Sequence, residues 1–409
     1  MLDQTFSSKS LLRLLNRGDP RKFGFGESKK DYLESLGRLS DAINTPSFTF
    51  SRFNSSKRPQ GTLFTPTSVV DEFALRKIND NLKRSFHLSF SDRSKIVPQV
   101  ITLLNEEVPY YVIKFDIKKF YENIDRKAVL ERVFLENTVS FRTKQLLRKL
   151  FESPELSVTK GLPLGISVSA TLAELYLEEF DIFCRRIPSV YYYVRYVDDI
   201  LFFTYEEPKG IEEKIQKALP GTLQLNAKKC EIFSVDKKGN CTSLSGRKHL
   251  TFLGYDFHFR NSPHLAGSRL TVCISERKIK KIKTRIALSL FAFIKKPNYD
   301  LLKSRIAFLS SNFTLSNEKS SGELYSGIYY NYRFIDERSK SALADLDIFL
   351  CKALHSKTGS LGKKLSMRLN PLQRRELCQY SFVSGFESRI LKRFSHPELR
   401  EIKGIWSHA

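Results

Sequence analysis

No part of this 409-residue chain approaches the ~18 consecutive apolar residues that a membrane-spanning helix needs. Nor does a secretory leader pattern open it, the nearest feature being the short patch Leu11-Leu12-Arg13-Leu14-Leu15. Cysteine is sparse: Cys184, Cys230, Cys241, Cys273, Cys351 and Cys378 contain no CxxC pair, so neither a disulfide framework nor a zinc site is expected. The seven histidines are scattered and give no ligand spacing. Acidic side chains are in short supply, with 44 Asp and Glu against 68 Lys and Arg, a net charge of +24 and a pI near 9.7. These absences lead to the expectation of a cytoplasmic protein with no membrane partner. The excess of cations points to a polyanionic partner, because Lys and Arg neutralise phosphates and release counterions. The length allows a large core and two or three subdomains.

Against that background two adjacent carboxylates stand out. Tyr196-Val197-Asp198-Asp199 lies between the strand-like runs Tyr191–Arg195 and Ile200–Thr204. Like charges at the tip of an apolar, aromatic hairpin repel, and burying either one without a counter-ion costs several kcal/mol, roughly. A divalent cation removes that cost, and carboxylates holding Mg²⁺ against phosphate oxygens perform nucleotidyl transfer. A polar turn that happens to contain two Asp is the plain alternative. A third carboxylate decides between them. The alternating run Val112-Ile113-Lys114-Phe115 ends on Asp116 before a helical start at Phe120-Tyr121. Neighbouring strands about 5 Å apart would place Asp116 beside the hairpin.

The order of these segments resembles that of reverse transcriptases, and among them the bacterial retron and antiphage-defence branches. Phe115–Tyr121 resembles motif A. Gly161-Leu162-Pro163-Leu164-Gly165-Ile166-Ser167-Val168-Ser169, leading into the helix-like Ala170–Leu177, resembles motif B. Tyr196–Asp199 resembles motif C and Leu225–Cys230 motif D. Leu250–Tyr255, with Phe252, Leu253 and Gly254, is similar to the primer-grip hairpin. The resemblance implies an α+β, right-hand polymerase (fingers, palm, thumb) with an antiparallel palm sheet and a helical C-terminal region. The implied divisions are 1–105 for the N-terminal region and fingers, and 106–265 for the palm, with part of the fingers around 130–160. The thumb would start over 266–300, and a helical thumb and RNA-binding extension would occupy 301–409.

The resemblance also implies roles. Asp116 and Asp198 would bridge two Mg²⁺ ions, with Mn²⁺ as an alternative; Asp199 would complete the site or only shape it. Tyr121, beside Phe120, would lie under the incoming sugar and collide with a 2′-hydroxyl, selecting dNTPs; ordinary core packing is the alternative. Lys229 is the candidate general acid toward leaving pyrophosphate, with Lys228 its rival. Gly161 and Gly165 flank Pro163 in a bend that lets main chain approach a nucleotide. At Leu164 most reverse transcriptases carry a nucleotide-contacting glutamine, and an aliphatic side chain there argues against a general copying enzyme.

Flanking segments are read for binding. Phe48–Phe53, then Asn54-Ser55-Ser56, then Lys57-Arg58-Pro59 read as a basic hairpin whose Lys57 or Arg58 would reach a triphosphate, with an exposed basic loop as the alternative. Val69–Leu82 has helical periodicity with Phe73, Ile78 and Leu82 inward, and Lys77, Lys83, Arg84 and Arg93 are candidates for a template path. Glu276–Phe293 carries an apolar stripe of Ile279, Ile282, Ile286 and Leu290. Arg277, Lys278, Lys280, Lys281, Lys283 and Arg285 cover its other faces, and resemblance makes it the thumb helix that follows a duplex through its phosphates. Beyond residue 297, Ser326–Tyr332, a helical Leu343–Leu354 and Tyr380–Phe386 alternate with Lys363, Lys364, Arg368, Arg374 and Arg375. These either stack on unpaired RNA bases or form a packed helical core. This tail resembles the first subunit of type 3 defence-associated reverse transcriptases.

The expected function is RNA-directed DNA synthesis on a bound, structured non-coding RNA, using dNTPs and yielding a DNA product, in bacterial antiphage defence. A second reverse transcriptase subunit and a higher-order oligomer are the implied partners. A retron or diversity-generating enzyme is the alternative of the same class. An idle RNA-binding scaffold is the alternative of another class, opposed by the three retained aspartates.

Overall fold

The structure is a computed structural model that describes residues 2–16, 18–58, 61–238, 240–259, 270–315 and 324–406. The described residues form two compact units. The first takes those up to Ile96 and Tyr110–Ser234; the second takes Val97–Pro109 and those from Val235 onward. Both units mix helices with antiparallel sheet, and the C-terminal region is mainly helical. The fold class is α+β.

In the first unit β1 (Asn54–Arg58) pairs antiparallel with β2 (Gly61–Thr65). A separate sheet contains β3 (Tyr110–Asp116), β4 (Val190–Tyr196), β5 (Asp199–Thr204) and β6 (Glu231–Val235) in the order β4-β5-β3-β6. Residues of β3 and β5 are buried almost throughout, as befits interior strands covered on both faces. The helices Val69–Ser85, Phe141–Glu152 and Ser167–Tyr176 contribute to the same core as this sheet. Ser68 begins the first of these helices by accepting a hydrogen bond from the Val70 amide, and Ser140 caps the second through Thr143. Phe73, Ile78 and Leu82 face inward as their spacing predicts, and share one core with Ile113, Phe115 and Leu172. Each such side chain stabilises the unit by about 1.5–3 kcal/mol.

Two expectations fail in this unit. The basic hairpin read over residues 48–59 is shifted along the chain: Asn54–Ser56, its middle, lies inside strand β1, and the partner of β1 is Gly61–Thr65. Phe50 and Phe53 are buried in the core, so the aromatic spacing of Phe48–Phe53 serves packing rather than strand pairing. Pro59 lies outside the described residues. Lys77 is 2% exposed, and its ammonium donates to the Asp3 carbonyl at 2.8 Å and pairs with Asp80 at 3.5 Å. It anchors the N-terminal segment and cannot line a template path.

The second unit includes β7 (Cys241–Ser243) and a three-stranded antiparallel sheet of β8 (Leu250–Phe252), β9 (Tyr255–Phe259) and β10 (Leu270–Ile274), ordered β10-β9-β8. The basic helix Glu276–Lys295 follows, with Ile282, Ile286, Leu290 and Phe293 buried. Its core partners are Leu302 and Ile306 of helix Tyr299–Ser310, Trp406, and Leu343, Leu346, Leu350 and Leu354 of helix Ser341–His355. Phe382 and Phe386 also belong to this core, so packing accounts for part of the aromatic content of the tail. Tyr325 remains exposed and stacks on Tyr330 with ring centroids 5.0 Å apart.

Candidate active site

Antiparallel register sets the site. Pairing of β3 with β5 places Phe115 opposite Ile200 and Asp116 opposite Asp199. Pairing of β4 with β5 places Tyr196 opposite Asp199, leaving Val197 and Asp198 as a two-residue turn. Val197 has φ +59°, a conformation costly for a β-branched residue and common where a site demands a particular backbone path. The Asp198 carbonyl accepts from the Ile117 amide at 3.1 Å, which ties the turn to the end of β3. The three carboxylates of the sequence reading are therefore carried on adjoining backbone.

Each aspartate has a different environment. Asp116 is buried; its Oδ2 accepts from Lys229 Nζ at 2.7 Å, its Oδ1 from Asn226 Nδ2 at 3.1 Å. The Asn226 amide also donates to the Asp116 carbonyl at 2.7 Å, so the segment after β5 is held against the end of β3. Lys228 lies in the same short 3₁₀ turn, Ala227–Lys229, but Lys229 supplies the ammonium at Asp116. Asp199 has Lys114 at 3.9 Å, and Lys114 in turn has the buried Glu231 at 3.5 Å. Burial is the main cause that raises the Asp198 carboxyl above its ordinary pKa, with the charge of Asp116 adding to it. Burial likewise pushes Asp199 up to about 6, against the lowering effect of Lys114, with Asp198 and Asp116 raising it further. Two lysines therefore do not neutralise three carboxylates. Hard oxygen donors in excess of their counter-charge fit a divalent cation.

The raised pKa of Asp199 has a consequence for stability. Its ionised form is disfavoured in the fold, so its contribution is most favourable below the unfolded carboxylate value and is lost as pH rises through about 6. Asp199→Asn should therefore melt higher than the parent in metal-free buffer at pH 8. The scale is roughly 2–4 °C for each kcal/mol gained. The gap should narrow as pH falls to 5. Melting curves at the two pH values check this, and a gap independent of pH would contradict it.

The least expected element is Arg195. It is 5% exposed in β4, with Nε and Nη2 donating to the two carboxylate oxygens of Asp181 at 2.8 and 2.7 Å. Nη2 and Nη1 donate to Glu174 at 2.6 and 3.2 Å, and Nη1 also reaches the Val197 carbonyl at 3.0 Å. Tyr193 donates its hydroxyl to Asp181 at 2.6 Å. One guanidinium thus joins helix Ser167–Tyr176, helix Glu178–Arg185 and the aspartate turn. Sequence reading passed over it, although a lone arginine in the run Tyr191-Tyr192-Tyr193-Val194-Arg195 requires carboxylate partners once buried.

The bend Gly161–Gly165 packs at both glycines against protein backbone. Gly161 has φ +64°, and a Cβ there would overlap the carbonyl oxygens of Tyr121 and Glu122. The Leu162 amide donates to the Tyr121 carbonyl at 2.8 Å, joining this bend to the segment after Asp116. Gly165 has φ +88°, and a Cβ there would overlap the Phe64 carbonyl of β2. The Phe64 amide donates to the Leu164 carbonyl at 2.8 Å, so the β1–β2 hairpin adds to this bend. Its Lys57 is exposed and its Arg58 half-buried. Leu164 is half-buried with Leu63 as bridge partner. Tyr121 is half-buried, and its phenol pKa is raised by burial, by Glu174 and by Asp198, which places it in the field of the aspartates. Phe120 departs from expectation: at 4% exposure it is a core residue, its ring 5.2 Å from that of Tyr121, and it can support that ring but cannot touch a nucleotide.

Other sequence-derived candidates lie in the second unit. Leu253 (φ +48°) and Gly254 (φ +86°) form the two-residue turn between β8 and β9, whereas Phe252 is 1% exposed and faces the core. Contact with a primer at this hairpin is therefore restricted to the turn. On helix Glu276–Lys295, Arg277, Lys278, Lys280 and Lys281 are exposed. Lys283 is half-buried over the Phe349 ring at 5.5 Å. Arg285 departs from expectation: it lies over the Trp406 ring at 5.4 Å, and burial lowers its pKa. Its guanidinium serves packing rather than a phosphate. Arg374 is likewise engaged, donating to the carbonyls of Leu369 at 2.8 Å and Ser366 at 3.1 Å at the end of helix Gly359–Arg368.

Residues 65–257 match the family model described as reverse transcriptase (RNA-dependent DNA polymerase). That segment is thus similar to a reverse transcriptase domain, a family whose enzyme class is RNA-directed DNA polymerase, a nucleotidyltransferase that generally works with divalent metal ions. No curated protein matches the chain. Similar solved structures include an apo telomerase from Candida tropicalis truncated from its C-terminal domain, at 16% identity and TM-score 0.38, covering 53% of this chain and 55% of that one. Another is a telomerase from Candida albicans in complex with a TWJ fragment of telomeric RNA, at 10% identity and TM-score 0.39, covering 92% of this chain and 65% of that one. The chain thus spans 55% and 65% of the lengths of these two. Among the described residues no helix is long and apolar enough to cross a membrane.

Proposed function

We propose that this protein synthesises DNA on a bound, structured non-coding RNA, and that it does so in bacterial antiphage defence, in the cytoplasm and beside a second reverse transcriptase subunit. The observation that carries the chemistry is the register that sets Asp116 opposite Asp199 with Asp198 in the adjoining turn. Asp116 and Asp198, with Asp199, would hold two Mg²⁺ ions, which supply charge neutralisation at the transferred phosphoryl group and activation of the primer 3′-hydroxyl. Lys229, which donates to Asp116 in the absence of the ions, would give a proton to departing pyrophosphate. Lys57 and Arg58 would hold the triphosphate, and the turn Leu253-Gly254 the primer end. The exposed cations Arg277, Lys278, Lys280 and Lys281 supply phosphate neutralisation that is independent of base sequence. The defence assignment rests on resemblance in the tail and on Leu164.

Tyr121, supported by Phe120 and fixed through its carbonyl by Leu162, would exclude a ribose 2′-hydroxyl by collision. Tyr121→Ala should therefore admit ribonucleotides while retaining deoxynucleotide incorporation, which competition between dNTP and rNTP on one template measures. Unchanged sugar discrimination would remove Tyr121 from this role. The function as a whole is tested by purifying the full chain with its copurifying nucleic acid, adding Mg²⁺ and labelled dNTPs, and sequencing the product. DNA complementary to the copurified RNA is expected. Absence of a DNA product, or a product that does not pair with that RNA, would overturn the proposal.

A further inference from the structure

We infer that the β8–β9 hairpin carries a second metal site, for a divalent transition ion such as Zn²⁺, formed by His249, Asp256 and His258. The inference goes beyond polymerase chemistry and does not rest on it. Extending the β8–β9 register, in which Leu250 faces Phe257 and Thr251 faces Asp256, sets His249 opposite His258. Strand alternation then puts Asp256 and His258 on one face of β9, two residues apart. The two imidazole rings lie 4.4 Å apart, and His249 Nε2 is 3.5 Å from Asp256 Oδ2. One ligand atom from each of the three residues lies within 4.8 Å of the other two. Tetrahedral Zn²⁺ with bonds of roughly 2.0–2.2 Å separates its ligands by about 3.4 Å, close to the His249–Asp256 spacing. Rotamer adjustment of two half-buried imidazoles supplies the rest.

The chemistry of the set agrees with a borderline-soft cation. Two imidazoles and one carboxylate suit Zn²⁺ far better than Mg²⁺, which prefers oxygen. Asp256 is 2% exposed and held rigidly: Oδ1 accepts from the Thr251 hydroxyl at 2.8 Å and Oδ2 from the Glu276 amide at 2.9 Å. Such outer hydrogen bonds orient a ligating carboxylate and leave lone pairs for the ion. A cleft of about 370 Å³, bordered by Asp256, His258, Cys273 and Glu276, gives an ion an approach and leaves room for a fourth ligand. Bound there, the ion would staple β8 to β9 beyond the turn Leu253-Gly254.

The test keeps the palm carboxylates out of the readout. Full-length protein, and an Asp116→Asn/Asp198→Asn variant, are stripped with chelator, reloaded with Zn²⁺ alone, freed of excess ion and assayed for zinc by elemental mass spectrometry. One Zn²⁺ per chain is expected in both. His258→Gln should weaken binding by more than the 10–100-fold that loss of an outer-shell partner costs. His249→Gln, which lies outside the strand, should do the same and covers the case in which His258→Gln does not fold. Co²⁺ loading should give a visible d–d band in the parent that either variant lacks. Absence of retained zinc in the parent, or undiminished zinc in a folded His249→Gln, would overturn the inference.

Discussion

Arg195→Met should be the most destabilising single substitution around the aspartates, lowering stability by about 3–5 kcal/mol and removing polymerase activity with it. The expectation follows from what remains after the change. Glu174 and Asp181 would stay in place with their charges no longer compensated, since Arg195 donates to both. The Val197 carbonyl would lose its donor, and a turn already at φ +59° would lose the bond that holds it. Replacing a buried pair as a whole is often tolerated, whereas removing one partner is not. Restoring balance with Glu174→Gln and Asp181→Asn in the Arg195→Met background should therefore recover part of the stability, but not the activity, which needs the turn. Chemical denaturation of the parent, the single variant and the triple variant checks this. Equal stability of the single and triple variants would mean that uncompensated charge is not what the substitution costs.

The second large effect is expected at Asp116. Asp116→Asn should lower the rate of dNTP incorporation by about 10³-fold or more, which corresponds to about 4 kcal/mol of transition-state stabilisation. Stability should change little, in contrast to Arg195. The amide oxygen can still accept from Asn226 Nδ2, and the ammonium lost from the other oxygen belongs to the half-exposed Lys229. Removing one of three carboxylates also relieves the repulsion that raises Asp198 and Asp199. A variant that folds as well as the parent and still polymerises at more than a tenth of its rate would remove Asp116 from the chemistry.

The contrast between these two residues marks what the sequence allowed and what it did not. Asp116, Asp198 and Asp199 were legible because a strand end and a two-residue turn have fixed geometry once register is assumed, and the structure sets Asp116 opposite Asp199 as adjacent strands require. The apolar spacing of Phe73, Ile78 and Leu82, and of Ile282, Ile286 and Leu290, likewise gave two helices their buried faces. Partners distant in sequence were hidden. Nothing local in Arg195 names Glu174 or Asp181, and nothing in Lys77 names the Asp3 carbonyl. The histidines looked scattered because seven positions in 409 show no spacing, yet a tight hairpin brings His249 and His258 face to face. Charge counting overstated the exposed cations of helix Glu276–Lys295, since Arg285 is spent on Trp406. Aromatic spacing misled at Phe48–Phe53 because burial and strand pairing favour the same residues.

The central claim is that the aspartate turn drives DNA synthesis. Its most direct test compares the parent with Asp198→Ala in single-turnover incorporation of one dNTP on an RNA template in Mg²⁺, at equal concentrations of folded protein judged by melting curves. Incorporation by the parent and none above background by Asp198→Ala is the expected result. Equal incorporation by the two proteins would contradict it.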